Sequence, residues 1–114
     1  MHEASLAFSI LQTVCKQATA NGFSKILEIR LRIGLGSGVQ ADSLAFAFDI
    51  AKRATTADQA ALLIDQIPLG GHCKDCGQIF TITERYILEC PHCKSSALAI
   101  TEGFEMDIID MEVE

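Results

Sequence analysis

The chain has 114 residues, 49% of them hydrophobic, and a formal net charge of −6, which suits one ordinary domain or one small domain carrying a metal-stapled module. An acidic chain is a poor match for phosphate backbones, and no apolar run reaches the roughly 18 residues a membrane helix needs. Met1-His2-Glu3-Ala4-Ser5 lacks the basic start of a secretory signal, so a cytoplasmic protein is expected, with neither nucleic acid nor membrane as partner.

Residues 4–20 are predicted to form a helix. Leu6, Ile10 and Val14 recur every fourth residue, and Leu11, Cys15 and Ala18 fill the adjacent stripe, so Cys15 reads as a small core residue. Asn21-Gly22 suits its C-cap. Residues 24–33 read as a strand with one buried face, because Leu27, Ile29, Leu31 and Ile33 alternate with Glu28, Arg30 and Arg32. Gly34-Leu35-Gly36-Ser37-Gly38 is a flexible loop. It fails the dinucleotide fingerprint, which needs glycine where Val39 stands, and it lacks the Gly-Lys-Ser/Thr ending of a phosphate loop. Its expected use is a turn, or close backbone approach near the N-terminus.

A second helix is expected from near Asp42 or Ser43, either of which can cap it, with Leu44, Phe48 and Ala51 buried. Residues 61–67 read as a second strand, stopped by Pro68 and Gly70-Gly71. Residues 72–96 are polar, broken up and without a core of their own. Residues 99–113 return to strand character. Phe104, Met106 and Ile108 alternate with acids, then the phase flips to Ile109, Met111 and Val113, as one extra residue in a β-bulge would cause. The expected fold class is α+β: two helices on a three-stranded sheet, with an inserted zinc-ribbon-like module.

Four of the five cysteines form the pattern C-x2-C-x13-C-x2-C: Cys73, Cys76, Cys90 and Cys93. Two residues between paired cysteines let a tight turn aim both sulfurs at one point. Two such turns complete a tetrahedron that d10 zinc accepts with soft thiolate ligands. Gly77 supplies the left-handed residue that such a turn often needs; Lys94 holds the same place after the second pair, less suitably. Four thiolates leave no open position, which argues against catalytic zinc. His72 and His92 flank the cysteines and read as solvated knuckle residues, with exchange into the ligand set as the alternative.

The N-terminus offers a second metal site. A bulky His2 protects Met1 from removal, so the Met1 amine, the His2 backbone nitrogen and the His2 imidazole can close adjacent five- and six-membered chelate rings. Three nitrogens in a plane suit Ni(II) or Cu(II), with the fourth position open to Glu3, another side chain or a receiving protein. Any chain beginning Met-His has these atoms, so position alone does not establish the role.

Taken together these residues resemble the hydrogenase nickel-incorporation protein family HypA/HybF. The resemblance rests on Met1-His2-Glu3, Ser5-Leu6-Ala7, Ile33-Gly34, Ser37-Gly38-Val39, Ser43-Leu44-x-Phe46-x-Phe48, both Cys-x-x-Cys pairs and Ile109-x-x-x-Val113-Glu114. It implies a nickel metallochaperone, not an enzyme, for NiFe hydrogenase maturation. Nickel would be held by Met1 and His2, with Glu3 serving nickel use or partner contact, and the four cysteines would hold structural zinc. The implied partners are the GTPase HypB and the hydrogenase large-subunit precursor; some members also serve urease maturation. The implied units are a nickel-binding domain of residues 1–70 plus 99–114 and a zinc-binding domain of 71–98. One departure is Gln40, where the family commonly has a carboxylate; Asp42 is the nearest substitute. The rival from another class is a zinc-ribbon adaptor that binds nucleic acid or protein. Lys74, Arg85 and Lys94 would serve it, but Asp75, Glu84 and Glu89 offset them.

Overall fold

The structure is a computed structural model that describes residues 3–83 and 89–114; Met1, His2, Glu84 and Arg85 lie outside the described residues. Helix α1 (Glu3–Ala20) buries Ile10, Leu11, Val14 and Ala18 of the predicted stripe, and Ala7 besides, while Leu6 is half-buried. Cys15 is half-buried and packs against the same core. Strand β1 (Ile26–Gly34) follows, then a short 3-10 turn (Leu35–Ser37), helix α2 (Ala41–Ala51) and strand β2 (Ala61–Ile67). Strands β1 and β2 pair in parallel, so β1–α2–β2 is a crossover unit with α2 packed over the sheet. Strand β6 (Met106–Val113) pairs antiparallel on the other side of β1, giving the order β2-β1-β6. The two helices and this sheet bury Ile26, Ile29, Leu31, Ile33, Leu44 and Phe48 in one core.

Four local expectations are corrected. The buried alternation on β1 starts from Ile26, not Leu27, because the register passes from Ile26↔Val113 to Glu28↔Glu112 and leaves Leu27 as an extra residue. The N-cap of α2 is Gln40, without a side-chain capping bond; Asp42 and Ser43 lie in the first turn. Gly70 and Gly71 do not end the sheet region but sit inside strand β3 (Leu69–Cys73). The stretch 99–113 is two strands, β5 (Leu98–Glu102) and β6, parted at Gly103. The phase flip has the predicted cause: Arg30 faces Asp110 while Leu31 faces Ile108, so Ile109 is a bulge residue.

The cysteine segment is more ordered than its composition suggests. Strand β4 (Ile79–Ile82) and β5 both pair antiparallel with β3, forming a second sheet of order β4-β3-β5. Leu69, Cys73, Phe80 and Cys90 are buried there. The second sheet continues from the end of the first, and the molecule is 53 Å long but only 23 × 17 Å in section. The junction is tight. The Gly34 N–H donates to the Glu105 carbonyl at 2.8 Å and the Gly36 N–H to the Gly103 carbonyl at 2.7 Å. A Cβ on Gly34 would lie 2.1 Å from the Gly103 carbonyl carbon. The glycine loop therefore makes a close backbone approach, but to the β5–β6 connection. No described helix is long and apolar enough to cross a membrane.

Candidate metal centre

Each cysteine pair sits on a tight turn. After β3 delivers Cys73, the Gly77 N–H returns to the Cys73 carbonyl at 2.9 Å, with Gly77 at φ +75°. In the second turn the Lys94 N–H returns to the Cys90 carbonyl at 2.9 Å, with Lys94 at φ +65°. Lys94 thus takes the left-handed conformation that the pattern requires, despite its side chain. Within each turn, amides point at the first sulfur: Cys76 N–H donates to Cys73 Sγ at 3.5 Å, and His92 N–H and Cys93 N–H donate to Cys90 Sγ at 3.3 and 3.5 Å.

The two turns face each other. Cys73 Sγ lies 3.5 Å from Cys93 Sγ, Cys76 Sγ lies 3.8 Å from Cys90 Sγ, and all four sulfurs are within 4.8 Å of one another. A zinc ion with bonds of about 2.3 Å sets tetrahedral S···S edges near ~3.8 Å, so the donor set and its size both fit that ion. These separations are far longer than a disulfide bond of about 2.05 Å, and all five cysteines are free thiols. Cys73 and Cys90 are fully buried, whereas Cys76 and Cys93 are exposed. Among the described residues neither His72 nor His92 joins the cluster.

The cluster's electrostatics call for a cation. Cys73 is held below the usual thiol range, first by the Cys76 amide, with burial opposing it. Burial pushes Cys90 up, but the Cys93 and His92 amides outweigh it and bring it down to about 6. Cys76 goes the other way: the Gln78 amide pulls it down, but burial and the Cys73 and Cys90 sulfurs prevail. Cys93 is drawn down by the Ser95 amide yet pushed up to about 12, chiefly by Cys73. Four thiolates this close cannot all carry charge alone; a divalent ion removes the conflict and lets all four ligate.

Of the expected nickel ligands only Glu3 is among the described residues. Glu3 is the first residue of α1 and is half-buried; Met1 and His2 lie outside the described residues. Gln40 and Asp42 do come together, at a cavity of about 110 Å³ beyond the C-terminal ends of β1 and β2. Gln66 of β2 also lines it, a neighbour that sequence spacing gives no means to find; Glu3 does not.

Four cysteine sulfurs gathered at zinc-ligand spacing on a small α+β body define a protein with a metal-binding group. The family model "Hydrogenase/urease nickel incorporation, metallochaperone, hypA" matches residues 1–113, and the chain belongs to that family. The hydrogenase maturation factor HypA of Rhizobium leguminosarum bv. viciae is 39% identical over 113 residues, covering 99% of both chains. That of Chlorobaculum parvum is 39% identical over 114 residues and the whole of both chains. The fold is similar to the solution structure of the Ni metallochaperone HypA from Helicobacter pylori, with TM-score 0.62, 29% identity, and 99% of this chain and 97% of that one covered. A second solution structure of a HypA protein gives TM-score 0.69 and 27% identity over 100% and 97% of the two chains.

Proposed function

We propose that the chain carries Ni(II) at its N-terminus and passes it on during NiFe hydrogenase maturation. The observation that carries this reading is membership of the nickel-incorporation family from residue 1 to residue 113, which includes the Met1-His2-Glu3 opening. The Met1 amine, the His2 backbone nitrogen and the His2 imidazole hold three corners of a planar nitrogen set. The fourth corner stays available to Glu3 or to a receiving protein, so the cargo can leave by ligand exchange. Gln40 is a neutral amide and contributes no carboxylate; Asp42, on the same cavity, is the chain's own substitute.

Zinc is the resident ion of the Cys73–Cys76–Cys90–Cys93 cluster, and its role is to tie the two turns together. The working division is a nickel-binding unit of 1–70 plus 99–114 and a zinc-binding unit of 71–98, with β3 and β5 running across the boundary. The partners are the GTPase HypB, which accompanies delivery, and the hydrogenase large-subunit precursor. Urease maturation factors are a second destination, in keeping with the family description. The chain acts in the cytoplasm and catalyses no reaction.

Metal analysis of untagged protein tests this reading. After nickel loading and desalting, one tightly held zinc and one exchangeable nickel per chain are expected. Zinc without nickel would overturn the carrier role and favour an adaptor.

A further inference from the structure

Among the described residues, few bonds join the two cysteine turns to each other beyond the β3–β5 ladder that carries them. Besides the sulfur cluster, Lys74 N–H donates to the Ala97 carbonyl at 2.8 Å, and the Ser95 hydroxyl donates to the Asp75 carboxylate. Ser95 is itself fixed: its Oγ accepts the Ala97 N–H at 3.0 Å and its carbonyl accepts the Cys90 N–H at 2.7 Å. Asp75 directly precedes Cys76, and Ser95 follows Cys93 by two residues. Those are the two exposed thiols, while Cys73 and Cys90 are buried. The Asp75–Ser95 bond thus ties together the chain beside the two thiols that a competing ligand can reach.

We infer that Asp75 and Ser95 form a latch across the open side of the cluster, positioning the two exposed thiolates and slowing zinc release. This rests on the zinc reading above. A carboxylate beside thiolates repels their charge, so Asp75 gains the cluster nothing electrostatically; what it offers is an acceptor that ties one turn to the other. Opening the site from this side requires breaking that bond. A charge-assisted hydrogen bond at an exposed position slows such opening by roughly three- to tenfold.

The test follows zinc transfer from the zinc-loaded full chain to an excess of colorimetric chelator. Asp75→Ala and Ser95→Ala should each release zinc roughly three- to tenfold faster, and the double variant no faster than either alone. Ser95→Thr keeps the hydroxyl and should stay near the unmodified rate, and Asp75→Asn, which keeps an acceptor without its charge, should fall between that rate and the alanine variants. In cobalt-loaded protein the thiolate charge-transfer bands should be the same in every variant, because the latch positions ligands without being one. Unchanged release in both alanine variants, additive acceleration in the double variant, or equal acceleration by Ser96→Ala next door would overturn the latch alone. A chain that takes up no zinc would overturn the zinc reading and the latch with it.

Discussion

Lys94 occupies a backbone conformation that most side chains avoid, at φ +65°, in the place where the first turn has Gly77 at φ +75°. The Cβ of an L-residue crowds the following carbonyl there, at a cost of about 1 kcal/mol. Lys94→Gly should therefore raise the stability of the zinc-loaded chain by about 0.5–1 kcal/mol. The check is the denaturant midpoint at constant slope; a lower midpoint would contradict the strain. Gly34 is needed for a different reason. Its φ is −77°, but a Cβ would sit 2.1 Å from the Gly103 carbonyl carbon and oxygen. Backbone cannot yield as a side chain can, so Gly34→Ala should lose about 1–3 kcal/mol in the same assay. Gly77 is legible because its spacing from the cysteines fixes its conformation. The need for Gly34 is not, because the atoms it meets lie far along the chain.

Within elements, burial follows periodicity wherever one face is dry. The sequence Leu44-x-Phe46-x-Phe48 places two phenylalanines two residues apart on α2, and helical geometry sends them to opposite sides: Phe48 is 0% exposed and Phe46 is 69% exposed. Phe48→Ala should cost about 3–5 kcal/mol, whereas Phe46→Ala should stay within about 0.5 kcal/mol of the unmodified chain. Equal losses in thermal unfolding would mean that Phe46 is also covered. The bulge at Ile109 is legible because the apolar phase flips there. The one at Leu27 is hidden, since Ile26 and Leu27 are both apolar and either could begin the buried alternation. The side-by-side pairing of β1 and β6 also brings Arg30 onto Asp110, holding that carboxylate below its usual range through the hydrogen bond, against a smaller desolvation effect. The second sheet escaped sequence reading because its strands are only four and five residues long, with little periodicity to detect, and its central strand β3 carries Gly70 and Gly71.

At the scale of the whole molecule, the two sheets meet end to end and share a glycine joint; the main core lies under the first, and Leu69, Cys73, Phe80 and Cys90 are the residues buried at the second. The second sheet has few buried residues, and two of them, Cys73 and Cys90, belong to the four-cysteine group that could hold a metal ion. Replacing either by Ala should release zinc and remove amide protection from β3, β4 and β5, while β1 and the helices keep theirs; hydrogen exchange reads both regions at once. Zinc retention with intact protection would contradict a four-thiolate site. The four-cysteine pattern announced this centre from spacing alone. The hydrogen bonds around it are legible only in three dimensions, because Asp75 and Ser95 come together through the fold.

The central claim is the proposal that nickel is held by the N-terminus. His2→Ala removes the imidazole and with it one of the three proposed chelating nitrogens. Calorimetric titration of untagged, zinc-loaded protein with Ni(II), run beside His2→Ala, addresses the claim directly. The account predicts one nickel site in the unmodified chain and none in His2→Ala, with zinc content and unfolding midpoint unchanged. Full nickel affinity in His2→Ala would contradict it, whatever the family match.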